Sequence, residues 1–121
     1  MDFQYYNANP LGKNEEDCVC RAISTILSEK YNVIKKKLHL IAELFDCDEL
    51  CMCCYQHLLD KVYGLKKMNY CKGMSIKKFL HTFPKGKFLI RVNGHLTCAK
   101  NGKVFDTWDC TKEIIDVVWE A

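Results

Sequence analysis

Apolar residues recur at helical spacing through the first half of the chain. From about Asp17, Val19, Ile23, Ile26 and Leu27 share one face, while Arg21, Ser24 and Ser28 share another. That spacing predicts an amphipathic helix. Glu15, Glu16 and Asp17 stand where negative charge and a carboxylate cap suit its N-terminus. A second helix is expected with Asn32 as N-cap, and Ile34, Leu38, Ile41 and Phe45 as its buried stripe. A third is expected from about Asp48 to Tyr63, with Cys51, Tyr55, Leu58 and Val62 turned inward and Gly64 as its stop. Residues 1–16 read as extended or irregular, with turns at Asn9-Pro10 and Gly12.

The second half changes period. A short helix from Ser75 to His81, capped by Ser75, precedes a turn at Pro84 and Gly86. Strands follow at Phe88 to Val92 and Leu96 to Ala99. Asn101-Gly102 is a hairpin signal, with Val104 to Thr107 as the returning strand. Val117 to Trp119 reads as the last strand. Helices followed by antiparallel strands predict an α+β fold, its helices packed on one small antiparallel sheet.

Composition narrows the classes. A chain of 121 residues with 49% hydrophobic content is sized for one domain over 1–121, and disorder is excluded. A net charge of +3 gives no footprint of a cationic nucleic-acid binder, and the lysine runs at 35–37, 66–67 and 77–78 read as solvated faces. The N-terminal stretch is polar and acidic with no apolar core, and no apolar run approaches a membrane span. The expectation is a cytoplasmic protein whose nine cysteines stay reduced, most of them acting as small buried hydrophobes.

Cys18 is the cysteine with a chemical argument. In the opening turn of a helix, the dipole and the unpaired amides favour a thiolate, and such sites lower a thiol pKa from about 8.5 to roughly 3.5–7.5. Cys20, about 200° around the helix from Cys18, falls on the apolar edge with Ile23 and Leu27. The hairpin supplies partners. With Asn101-Gly102 central, paired positions sum to 203, so Asp106 faces Thr97, one pair diagonal from His95. Asp109 is the reserve acid on the other side of His95. A thiol, an imidazole base and a carboxylate that orients it are what nucleophilic thiol catalysis requires. Trp108 would shield the His95–acid pair from water, and Trp119, Tyr5 and Tyr6 read as core or cleft-wall aromatics.

A competing cluster lies in the run CDELCMCC. On one helix face Cys47, Cys51 and Cys54 would present three thiolates to zinc, with His57, Cys71 or Cys98 as the fourth ligand. The spacing does not match the paired knuckles of structural zinc sites. Packing is therefore the preferred reading, and no cofactor is expected.

Two segments, NPLGKNEEDCVCRAISTIL and FPKGKFLIRVNGHLTCAKNGKVFDTWDC, resemble small papain-like cysteine-peptidase proteins of bacteria and their phages. The resemblance rests on a D-C-x-x-R-A-I run opening a helix and on GHL…NGKVFDTWD, and spans residues 9–110. More distantly the chain is similar to bacteriocin-processing peptidase domains. The resemblance implies a papain-like fold, with Cys18 as nucleophile, His95 as base and Asp106 as orienting acid. It implies a thiol hydrolase acting on a peptide, isopeptide or related amide bond of a protein or peptide substrate. The glutamine usual six residues before the nucleophile is Gly12 here. Asn14 is then the oxyanion candidate with the Cys18 N–H, and Gln4 a more remote one. The alternative is a catalytically weak or inactive papain-like module that binds a host protein.

Overall fold

The computed structural model describes residues 2–69 and 71–121. Its elements run β1 (Phe3–Tyr5), α1 (Cys18–Leu27), α2 (Tyr31–Phe45), α3 (Met52–His57) continuing as a π-helix (Leu58–Val62), β2 (Lys66–Met68), α4 (Ile76–Thr82), β3 (Lys87–Val92), β4 (His95–Lys100), β5 (Lys103–Asp106) and β6 (Val117–Glu120). The architecture is α+β, with four helices packed against a six-stranded mixed sheet in the order β1-β5-β4-β3-β6-β2. Among the described residues no helix is long and apolar enough to cross a membrane.

The hairpin at the centre of the sheet follows its turn chemistry. Asn101 (φ 50°) and Gly102 (φ 82°) are both left-handed, as a two-residue primed turn requires. The register pairs Lys100 with Lys103 and Ala99 with Val104, in line with the expected sum. Strand alternation then sorts the core onto two faces. Leu89, Leu96, Cys98 and Trp119 pack with residues of α1, α2 and α3. Phe88, Ile90, Val92, Ala99, Val104 and Val118 pack with Ile76, Phe79 and Leu80 of α4. Ser75 caps α4, accepting from the Lys78 N–H at 3.1 Å.

Several expectations are corrected. The sheet is mixed, not antiparallel, because Phe3–Tyr5 pair in parallel with Val104–Asp106. Short edge strands such as β1 and β2 carry too few residues for an alternating pattern to register. α2 starts at Tyr31 with Lys30 at the N-cap position. The Tyr31 hydroxyl donates to Asp17 at 2.6 Å, which fixes the first turn earlier than Asn32 would. Phe45 is 55% exposed and its ring lies against His57, while Ala42 is buried. Tyr5 and Tyr6 are also exposed rather than core.

The third helix departs most. Asp48 accepts from the Leu50 N–H at 2.8 Å and the Cys51 N–H reaches the Asp48 carbonyl at 2.9 Å. This turn delays the helix to Met52. Beyond His57 the ladder widens, with the Tyr63 N–H bonded to the Leu58 carbonyl. The extra residue brings Leu58 and Leu59 side by side into the core and leaves Val62 54% exposed. Asp60 is thereby placed to accept from Trp119 Nε1 at 2.7 Å and to pair with Lys67 at 3.1 Å.

The π-turn makes a prediction. Leu59→Ala is expected to cost about 2–5 kcal/mol, whereas Val62→Ala stays within about 0.5 kcal/mol. Urea unfolding of both variants measures this, and equal losses would indicate an ordinary α-helical register.

Candidate active site

Asp17 occupies the N-cap position of α1, but its side chain makes no capping hydrogen bond. Three other donors claim the carboxylate. Arg21 Nε donates at 2.7 Å, Asn9 Nδ2 at 2.9 Å and the Tyr31 hydroxyl at 2.6 Å. The cap expected from sequence is thus replaced by a buried anchor. Burial alone would raise the Asp17 pKa, but the hydrogen bonds from Tyr31, Asn9 and Arg21 outweigh it and hold the carboxyl below its usual range. Cys18 follows as the first residue of α1, in a turn whose amides Asp17 leaves uncapped.

His95 opens β4 and Asp106 ends β5, so the hairpin sets their separation. His95 Nε2 lies 2.7 Å from Asp106 Oδ2. The same oxygen accepts from Thr97 Oγ1 at 2.6 Å. Asp106 Oδ1 accepts from Arg21 at 3.1 Å and from the Thr107 N–H at 2.7 Å. Arg21, with a second bond to Thr107 Oγ1 at 3.1 Å, therefore ties the helix bearing Cys18 to the strand bearing Asp106. Asp109 does not enter this network. It is exposed and accepts from both the N–H and the hydroxyl of Thr111, at 3.0 and 2.6 Å.

The electrostatics favour a charge-separated thiol and imidazole. Burial would raise the half-buried Cys18 thiol, but the His95 imidazole, the Leu96 N–H and the charges of His95 and Arg21 outweigh it, leaving the pKa lowered. Burial would lower His95, yet hydrogen bonding to Asp106, Cys110 and Cys18 pushes it up to about 11. Cys20 behaves oppositely, with burial pushing its thiol up to about 12. That division follows from their different helix faces.

Cys18 and His95 open into a cleft of about 460 Å³. Leu96, Leu50, Tyr55 and Trp108 supply its apolar walls, and Asn14, Glu15, Glu16 and Arg91 its polar ones. The Trp108 ring lies 5.1 Å from the His95 ring. Asn14 is on the cleft wall. Gln4 lies instead on β1, donating to the Tyr5 carbonyl at 3.2 Å.

Two contributors were missed in the sequence. Arg21 stands four residues after Asp17, an ion-pair spacing on a helix, and that was the available signal. Cys110 is fully buried with its Sγ 3.9 Å from Asp106 Oδ2. Only the chain's return after the hairpin brings it there. His95, Asp106 and Cys110 hold ligand atoms within 4.8 Å of one another, which is the one such group among the described residues. Because Asp106 Oδ2 already serves His95 and Thr97, the set reads as a hydrogen-bond network rather than a metal seat.

The alternative zinc triad does not share one helix face, although the Cys47 side chain reaches both Cys53 and Cys54. Cys47 lies in the loop after α2, Cys51 stands just before α3, and Cys54 is buried with its thiol on the Leu38 carbonyl at 3.3 Å. No protein-family model, curated protein or solved structure matches the chain. The site therefore rests on its own geometry.

Two outcomes are expected. Iodoacetamide at neutral pH should label Cys18 at least about tenfold faster than Cys20, and His95→Ala should slow Cys18 labelling by removing the imidazolium. Peptide mass mapping against time measures both. Asp17 and Asp106 both have lowered carboxyl pKa values in the fold. Their stabilisation is complete above the unfolded carboxylate value of about 3.9 and is lost as pH falls through the folded values. Urea midpoints should therefore drop below about pH 4, less steeply in Asp17→Asn than in the parent chain.

Proposed function

We propose that the chain is a thiol hydrolase with a papain-like fold, cleaving a peptide, isopeptide or related amide bond through Cys18, His95 and Asp106. The observation that carries this reading is the position of His95, held by Asp106 through Nε2 and beside a thiol of lowered pKa in an open cleft. A helix presenting Cys18 at its N-terminus against antiparallel strands bearing His95 and Asp106 supports the papain-like comparison.

The chemistry follows from the roles. With Nε2 committed to Asp106, Nδ1 is the nitrogen that exchanges a proton with Cys18. The thiolate attacks the carbonyl carbon, and the oxyanion is met by the Cys18 N–H and the Asn14 amide. His95 gives its proton to the departing amine, leaving an acyl thioester on Cys18. Water, losing a proton to His95, then attacks that thioester, and the acid leaves as the thiol reforms. Asp106 fixes the imidazole orientation, and Arg21 fixes Asp106.

p-Nitrophenyl acetate tests the acyl-enzyme directly. A nitrophenolate burst is expected, with the acetyl group mapped to Cys18 and absent in Cys18→Ala. Turnover should fall about 10²–10⁴-fold in His95→Ala and Asp106→Ala, with circular dichroism confirming that each variant folds. Acetylation that prefers the exposed Cys51 or Cys53, or turnover that survives Cys18→Ala, would sink the reading. A stable complex with a protein substrate that forms equally well in Cys18→Ala, without turnover, would favour the binding module.

A further inference from the structure

Four of the nine cysteines fall between Cys47 and Cys54, and none of them lines the cleft that holds Cys18. The fold treats them unequally. Cys54 is buried and Cys47 half-buried, while Cys51 and Cys53 are exposed free thiols. Cys53 Sγ lies 2.9 Å from Cys51 Sγ and donates its proton toward it, so the two sulfurs are in direct contact.

The backbone holds this arrangement. The Cys51 N–H is bonded to the Asp48 carbonyl at 2.9 Å, and the Cys51 carbonyl accepts from the N–H groups of Cys54 and Tyr55 at 3.0 and 3.3 Å. Cys51 is thus fixed by a turn on one side and the first turn of α3 on the other. Cys53 sits two residues on, and no rearrangement of the core is needed for the sulfurs to meet.

We propose that Cys51 and Cys53 form a dithiol site for hydrogen peroxide, with Cys51 as the attacking sulfur and Cys53 as the resolving one. The Cys51 thiolate attacks one oxygen of the peroxide, the O–O bond breaks, and Cys51 becomes a sulfenic acid. The departing hydroxide takes up the proton that Cys51 released and leaves as water. Cys53 Sγ then attacks Cys51 Sγ. The S–S bond forms, the S–O bond breaks, and the sulfenic hydroxyl leaves with the Cys53 proton as a second water. Two thiols lose two electrons and one peroxide is reduced to two waters.

The assignment of roles has a physical basis. Hydrogen bonds from the thiol and the N–H of Cys53 lower the Cys51 pKa, whereas Cys51 and Cys47 push Cys53 up to about 12. The geometry agrees, since the Cys53 thiol donates to Cys51 Sγ and Cys51 is the acceptor sulfur of the pair. The site is separate from the thiol assigned to hydrolysis, so it stands or falls independently of that reading.

The experiment uses the reduced full-length chain titrated with hydrogen peroxide, quenched with N-ethylmaleimide and mapped by peptide mass. The expected result is loss of two hydrogens within the peptide carrying Cys51 and Cys53, with neither taking maleimide. Half-conversion should need at least about fivefold less peroxide exposure than free glutathione. In Cys53→Ser, dimedone should trap a sulfenic acid on Cys51. In Cys51→Ser, Cys53 should remain open to maleimide. Both residues are exposed, so neither variant threatens the core. Pairing of either sulfur with Cys47 or Cys54, cross-linking between chains, or thiols surviving peroxide that consumes glutathione would overturn the proposal.

Discussion

Arg21 is only 11% exposed at its side chain, and its guanidinium is shared between Asp17 and Asp106, themselves 8% and 4% exposed. A cation so withdrawn from water is tolerable only when its donors are matched by anions at good geometry. Here three of the five N–H groups are matched, since Nε serves Asp17 and one terminal nitrogen serves both Asp106 and Thr107. The two carboxylates exceed one guanidinium in charge, which favours the protonated form of His95 beside Asp106. Among the described residues no buried side-chain nitrogen or oxygen lacks a hydrogen-bond partner. Helix α1 therefore cannot slide along the sheet without breaking several charged contacts together.

That constraint also decides what the helix terminus can do. Asp17 would ordinarily cap α1, but Arg21, Asn9 and Tyr31 hold its carboxylate elsewhere. The positive end of the helix is left to the next residue, Cys18. The arrangement that anchors the helix thus also sets the electrostatic environment of the thiol. Cys20, two residues on, shares the helix but lacks the His95 and Arg21 contacts, and burial with the nearby acids pushes its thiol up instead.

Much of the fold could be read from local pattern, and the misses have a common cause. Asn101-Gly102 dictated a hairpin whose register placed Asp106 opposite Thr97, and the side-chain bond between them is present. The face of α1 was legible because Val19, Ile23 and Ile26 repeat at helical spacing. Strand β1 was not legible, because its pairing with β5 joins distant stretches and three residues carry no period. The π-turn was hidden as well. Leu58 and Val62 fit an ordinary helical stripe, and the wider ladder is accompanied by a long-range hydrogen bond from Trp119 to Asp60 that no local pattern announces. Cys110 was likewise settled by tertiary partners, as was the reach of Arg21 to Asp106, while its bond to Asp17 is local.

The sheet ends in β1 on one side and β2 on the other, each three residues long. Exposed edges are where sheets recruit strands from other molecules, and short or lysine-bearing edges resist this. Strand β2 does both, with Lys66 and Lys67 in succession ahead of the buried Met68. The longest strands, β3 and β4, lie inside with neighbours on each side. A chain with half its residues apolar is thereby guarded against growing its own sheet into an aggregate.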